Sequence, residues 1–313
     1  MLDPQARAVL DHLTQLGLPP FDRIPPAEAR RQYRETRAAL RPEAPQLSLV
    51  RDLRAQGETG AIPLRLYRPS EGILPALIYL HGGGWVVGDL DTHDVVCRQL
   101  AEQAGIVVIA VDYRLAPEHR FPAAVDDCWS ATRWIAAHAV DLGIDAVRLA
   151  VGGDSAGGGL ATVMCLLARD TGDPPLTFQL LVYPVTDLRA ESASYSKYAE
   201  GYLLTRNGMR WYIAQYAPNE ADVLNWRASP LLAESVSGVP PALVVSAGVD
   251  PLRDEGEAYA RRLEGASVPV DYLCLGGMIH GFITMGGRID AANRAVSYMA
   301  AALRQAFMTA EGW

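Results

Sequence analysis

Hydrophobic and polar positions alternate in two rhythms along this chain, and the rhythm changes at places that mark elements. Pro4 to Leu16 and Pro26 to Leu40 repeat apolar residues at three- and four-residue intervals. That spacing predicts two amphipathic helices, punctuated by Pro19-Pro20, Pro25-Pro26 and Pro42. Leu47 to Leu53 and Ile62 to Tyr67 then alternate apolar with polar residues, as half-exposed edge strands do. Ala76 to Leu80 and Ile106 to Val111 are almost continuously apolar, the pattern of strands buried on both faces. Further buried strands are predicted at Val147 to Val151, Phe178 to Val182 and Ala242 to Ser246, with a last one near Val270 to Leu275. Helical segments fall between and after them at Thr92 to Gln103, Ala123 to His138, Ala161 to Arg169 and Ile289 to Phe307.

Strand and helix thus alternate, which predicts an α/β fold with a mainly parallel sheet covered by helices. The alternation breaks from Val185 to Arg227, a long, aromatic and polar span with one clear helix from Thr205 to Tyr216. The chain therefore divides into an N-terminal helical arm (1–45), a first core segment (46–184), an insertion (185–227) and a second core segment (228–313). The arm and the insertion are expected to form a cap.

Composition narrows the functions available. Half of the 313 residues are hydrophobic, enough for a large core. A net charge of -8 and an isoelectric point near 5.3 argue against nucleic acid or an anionic membrane surface as partner. No apolar run reaches the length of a membrane span, and the first 18 residues are too polar for a signal peptide. Cys97, Cys128, Cys165 and Cys274 are widely spaced, without a Cys-x-x-Cys pair. They are expected to be reduced, buried and structural, in a cytoplasmic protein.

The candidate chemistry starts at Gly153-Asp154-Ser155-Ala156-Gly157, a Gly-x-Ser-x-Gly pattern between a predicted strand and a predicted helix. On such a turn the bend is too tight for side chains at the two outer positions. Glycine is needed there, and the hydroxyl of Ser155 projects above the sheet at the positive end of a helix. A second glycine cluster, His81-Gly82-Gly83-Gly84-Trp85, directly follows a buried strand. Its N–H groups can approach a ligand closely, as an oxyanion hole requires. A dinucleotide-binding turn is the rival reading. The stretch to Gly88 does not fit G-x-G-x-x-G, and Trp85 stands where a phosphate needs room.

A serine nucleophile needs a base, and the base an orienting acid. Of six histidines, His12 lies in the arm, His138 near a helix end and His93 at a helix start. His81 is expected to hold the glycine loop, and His119 lies in the Asp112–His119 loop, expected to be a brace. His280 remains, in a glycine-flanked loop after the last strand, at the carboxyl ends of the strands. Asp250 follows the buried strand ending at Ser246 and is the candidate acid. Its rival role is a helix N-cap before Pro251, one that Asp254 and Glu255 can fill instead.

Together these residues resemble the hormone-sensitive-lipase family of α/β-hydrolases, in its bacterial family IV carboxylesterase branch. The resemblance runs from about Leu64 to Phe282 and rests on His81–Trp85, Gly153–Gly158, Asp112–His119 with Phe121-Pro122-Ala123, Asp250-Pro251-Leu252 and His280-Gly281-Phe282. It implies an eight-stranded, mostly parallel sheet with helices on both faces and a helical cap. It also implies oxyanion donors at the N–H groups of Gly83, Gly84 and Ala156, and no metal or organic cofactor. Gly159 departs from the asparagine frequent at that position, and Gly276-Gly277 are expected to loosen the histidine loop. The implied activity is hydrolysis of short- to medium-chain carboxylic esters through an acyl-enzyme on Ser155. Amide or peptide cleavage by the same triad stays open. A non-catalytic receptor on the same scaffold is disfavoured because Ser155, Asp250 and His280 are all present. Trp85, Tyr183, Leu204, Trp211 and Tyr212 are the candidates to line the substrate pocket, with Trp211 as its end wall. The expected partner is a small-molecule ester. A homodimer is allowed by the sequence, and no nucleic acid or membrane partner is expected.

Overall fold

A computed structural model describes residues 1–309. Two helices open the chain, α1 (Pro4–Gln15) and α2 (Pro26–Leu40), followed by the hairpin β1 (Leu49–Gly57) and β2 (Gly60–Arg68). Then come β3 (Leu74–Leu80), α3 (Asp94–Ala104), β4 (Val107–Val111), α4 (Ala123–Ala137), α5 (Ala139–Leu142), β5 (Ile144–Asp154), α6 (Ala156–Thr171) and β6 (Leu176–Val182). Three short or medium helices occupy the predicted insertion: α7 (Ala193–Lys197), α8 (Arg206–Tyr216) and α9 (Glu220–Val223). The chain returns through β7 (Ala242–Val249), α10 (Arg253–Gly265), β8 (Val270–Ile279) and α11 (Asp290–Thr309).

The eight strands form one sheet in the order β1-β2-β4-β3-β5-β6-β7-β8. β1 pairs antiparallel with β2 and β2 with β4, while every later pairing is parallel. Successive residues of β3 serve opposite faces. Ala76, Ile78 and Leu80 join the core shared with α4, α6 and α10. Leu77 and Tyr79 join the core shared with α1, α3 and α11. Both faces are therefore covered, which is why the central strands read as continuous apolar runs.

Several boundaries differ from the predicted ones for physical reasons. β5 runs past Val151 through Gly152, Gly153 and Asp154, because Gly152 and Gly153 pair with Tyr79 and Leu80 of β3 despite having no side chain to announce a strand. α6 begins at Ala156, directly after the serine, rather than at Ala161. β8 extends through Gly276-Gly277 to Ile279, so the expected loose loop is a strand end. There the Asp3 N–H donates to the Gly277 carbonyl at 3.0 Å, and a side chain at Gly248 would strike the Gly276 backbone. Among the cysteines, Cys97, Cys128 and Cys165 are buried free thiols, but Cys274 is exposed. It sits on the outermost strand, where alternate positions such as Tyr272 and Cys274 face solvent. No described helix is long and apolar enough to cross a membrane.

Candidate active site

Ser155 occupies the single residue between the end of β5 and the start of α6, with φ 55° and ψ -120°. A non-glycine residue in that region carries backbone strain of about 1–3 kcal/mol, which the surrounding structure must offset. The surroundings explain the flanking glycines. A Cβ on Gly153 would lie 2.2 Å from the Leu80 carbonyl oxygen, and one on Gly157 would lie 1.9 Å from the same atom. The end of β3 thus passes where either side chain would be. Ser155 N–H donates to Val182 O at 2.8 Å, tying the elbow to β6. The hydroxyl is only slightly accessible, the residue being 6% exposed, because helical elements of the arm and insertion lie over it.

His280 and Asp250 reach the same point from the ends of β8 and β7. His280 follows Ile279, and the chain turns away at Gly281, whose φ is 75°. His280 Nε2 lies 2.9 Å from Ser155 Oγ and its Nδ1 lies 2.7 Å from Asp250 Oδ2. Asp250 is 0% exposed. Its other oxygen, Oδ1, accepts the Leu252 N–H at 2.9 Å. The cap position of α10 is Leu252 rather than Asp250, whose one carboxylate oxygen holds the turn leading into that helix while the other faces the imidazole. Asp254, the alternative, turns elsewhere: its Oδ2 accepts the Ser194 N–H at 2.8 Å and its Oδ1 pairs with Arg253.

The glycine loop after β3 lies beside the elbow. Gly83 and Gly84 have φ of 127° and 58°, and a Cβ at Gly84 would sit 2.3 Å from the Tyr212 ring. The loop's own hydrogen bonds use the Gly83 carbonyl, which accepts from Val86 and Val87. Among the described residues, the N–H groups of Gly83 and Gly84 donate to no backbone acceptor in that loop. Ala156 N–H, at the first position of α6, has no intrahelical acceptor by geometry. Gly83 and Gly84 line the same cavity as Ser155, and Ala156 follows the serine directly.

Two residues behind the loop connect it to the elbow. Asp154, inside the serine motif, is buried and accepts from Gly82 N–H at 3.0 Å and Tyr79 O–H at 2.9 Å. His93 Nε2 approaches the same carboxylate at 3.2 Å. Burial alone would raise the Asp154 pKa, but His93, Tyr79 and Gly82 outweigh it and hold the carboxyl below its usual range. Nothing in the sequence announced this pairing, because Asp154, Tyr79 and His93 lie on three different elements. His81 behaves as predicted of a loop holder. Its Nδ1 meets Gly82 O at 2.9 Å and its ring stacks on Tyr113 at 4.3 Å. Burial, with neighbouring His93 second, pushes its imidazole down to about 4, so the ring is neutral. The Asp112–His119 loop braces this region, Tyr113 O–H donating to His81 O at 2.7 Å and Arg114 pairing with Asp127.

Ser155, His280, Gly83 and Gly84 line a cavity of about 470 Å³ to which the arm and the insertion also contribute walls. Of the five residues expected to line it, Leu204 and Tyr212 do so. Trp85, Tyr183 and Trp211 lie outside its lining. Trp85 is buried and stacks on Tyr216 at 4.3 Å, Tyr183 packs behind His280 at 4.6 Å, and Trp211 leans on Tyr212 from outside. Their places in the lining are taken by Phe21, Tyr33 and Arg37 of the arm and by Tyr202 and Met209 of the insertion. Among the described residues no group of three His, Cys, Asp or Glu is placed to hold a metal ion.

Comparison with known proteins places this geometry in context. The profile of the α/β-hydrolase fold family matches residues 77–284. The chain is 48% identical over 265 residues to the carboxylic ester hydrolase LipN of Mycobacterium tuberculosis, covering 81% of this chain and 70% of that protein. It is 44% identical to the ethyl acetate hydrolase of Pseudomonas putida, covering 91% and 92% of the two chains. Among solved structures, the hyperthermophilic esterase of Pyrobaculum calidifontis superposes with a TM-score of 0.90 at 40% identity, covering 97% and 98%.

Proposed function

This chain belongs to the α/β-hydrolase fold family and is a carboxylic-ester hydrolase, and on that premise we propose that Ser155, His280 and Asp250 are its nucleophile, base and orienting acid. The observation that carries the assignment is the unbroken relay from Asp250 Oδ2 through both nitrogens of His280 to Ser155 Oγ, with contacts of 2.7 and 2.9 Å. A buried carboxylate at Nδ1 keeps the proton on that nitrogen, so Nε2 presents its lone pair to the serine hydroxyl. Ser155 Oγ then attacks the ester carbonyl while His280 takes its proton. The carbonyl oxygen, becoming negative, turns toward the N–H groups of Gly83, Gly84 and Ala156, donors already fixed before the reaction begins. His280 gives the proton to the departing alcohol. Water, deprotonated by the same nitrogen, attacks the acyl-enzyme and releases the acid.

Residues 1–45 and 185–227 form the cap over a core made of 46–184 and 228–313. A cavity of about 470 Å³ favours compact esters, with acyl chains of about two to eight carbons, since each further methylene adds its ~0.8 kcal/mol only where space remains. Three buried free thiols and an exposed one fit a reducing, cytoplasmic setting. The direct test is Ser155→Ala, assayed with ethyl butyrate or an aryl butyrate. The variant should fold normally and lose turnover by at least about 10³-fold. Near wild-type turnover would sink the assignment.

A further inference from the structure

Helix α2 carries four arginines, and three of them have an acid. Arg30 pairs with Glu118, Arg31 with Glu35 and Arg34 with Asp89. Arg37 is different. It falls in the buried stripe of the helix with Ala29, Tyr33 and Leu40, and it is only 8% exposed. Among the described residues no carboxylate forms an ion pair with it, and its Nε has no hydrogen-bond partner. A guanidinium does not give up its proton in a protein, so a full positive charge is held there. A buried charge without a counter-charge is costly.

Arg37 lines the same cavity as Ser155 and His280. Its guanidinium carbon stands 4.7 Å from the Tyr33 ring centre, and its Nη2 is 3.1 Å from where a side chain on Gly281 would begin. The cation is therefore packed against the residue that follows the proposed base. The groups around it cannot neutralise it. Burial raises the pKa values of Tyr33, Tyr183 and Tyr212, so all three phenols are neutral. The other acids lining the cavity are engaged elsewhere: Asp154 with Gly82, Tyr79 and His93, and Asp22 with Arg23.

We propose that Arg37 is a substrate-recognition residue and that the enzyme's preferred substrates are compact esters bearing a free carboxylate, which meets the guanidinium while the ester carbonyl faces Ser155. This deepens the esterase reading and rests on it. A singly charged group is indicated because one cation faces it in a cavity that also contains Asp22 and Asp154. A phosphate dianion would lack compensation there. For a dicarboxylic acid hemiester, Ser155 Oγ bonds to the ester carbon and the alkoxide leaves with the serine proton carried by His280. Water then cleaves the acyl-serine bond. The net reaction is hemiester anion plus water to dicarboxylate, alcohol and one proton.

The test measures kcat and KM at neutral pH for matched pairs: the monomethyl and dimethyl esters of succinate, glutarate and adipate, with O-acetylglycolate and its methyl ester placing the charge on the alcohol side. Wild type, Arg37→Met, Arg37→Lys and Ser155→Ala are compared. In at least one pair the wild type should prefer the anion. Arg37→Met should lower kcat/KM for that anion by roughly 10- to 100-fold, chiefly through KM, while the neutral partner falls far less. Arg37→Lys, a point charge without the fork, should lie between. If wild type prefers the neutral ester in every pair, or Arg37→Met depresses both members equally, the proposal is overturned while the esterase assignment stands. Neutral esters cleaved equally well by Ser155→Ala would instead overturn the assignment. Should Arg37→Met fail to fold, the wild-type preference and the Arg37→Lys ratio still decide.

Discussion

Asp250→Asn is the substitution that tests the relay most sharply, because the structure fixes which way the new amide must face. In the native protein Oδ1 accepts the Leu252 N–H at 2.9 Å and Oδ2 faces His280 Nδ1 at 2.7 Å. An asparagine must keep its oxygen toward Leu252, since the reverse would set an NH2 group against an N–H donor in a fully buried site. The amide nitrogen then points at His280 Nδ1. Two donors cannot meet, so the imidazole carries its proton on Nε2 instead. That nitrogen now donates toward Ser155 Oγ across the 2.9 Å contact and can no longer accept the serine proton. The expected loss is about 10³- to 10⁴-fold in kcat, roughly 4–5.5 kcal/mol of barrier, by comparison with the same change in other serine triads. Global stability should change little, because Leu252 keeps its acceptor and a neutral amide is easier to bury than a carboxylate. The assay is kcat and KM on a neutral aryl ester beside thermal unfolding. A folded variant within tenfold of wild type would refute the tautomer argument. So would an Asp254→Asn variant that loses more activity than Asp250→Asn.

Two further outcomes follow from the same structure. Tyr212 lies over Gly84 and lines the cavity whereas Trp211 stands outside it, so Tyr212→Ala should shift the acyl-length optimum upward, by about fourfold in kcat/KM per newly accommodated methylene. Trp211→Ala should shift it less; kcat/KM against acyl length for both variants checks this, and the reverse ranking would place the wall at Trp211. Glu255 is buried, and burial drives its carboxyl well above the usual range despite the Thr186 and Asp187 N–H groups on Oε1. The folded protein thus holds a proton that the unfolded chain releases, so stability falls as pH rises above the unfolded value of 4.5, by up to ~1.4 kcal/mol per pH unit for one proton. Glu255→Gln should flatten that part of the curve and raise stability at neutral pH. Denaturant midpoints across the range read it out, and an unchanged slope would show that Glu255 is ionised in the fold.

What could be read from the chain was whatever local spacing controls. Apolar runs separated by helical periods specify strands buried on two faces and helices covering them, and the observed eight-stranded sheet has that form. The motif around Ser155 was legible because the tight turn restricts residue types within five positions. The strand ends were not. Gly152-Gly153 and Gly276-Gly277 carry no hydrophobic signal; pairing with β3 makes the first two strand, and the second two lie in an irregularity between the paired residues Leu275 and Ile279 of β8. The same holds for the cavity. Which aromatics face the serine depends on how the arm and the insertion dock, so Phe21, Tyr33 and Tyr212 enter the lining while Trp85 and Trp211 pack away from it. Charge pairing is the clearest case. Four arginines within eight residues of α2 look alike in sequence; Arg31 meets Glu35 one turn along the same helix, but only the tertiary arrangement supplies acids to Arg30 and Arg34 and leaves Arg37 buried beside the catalytic cavity. Local chemistry is written in neighbouring residues, whereas the environment of a side chain is set by segments distant along the chain, and only folding brings those together.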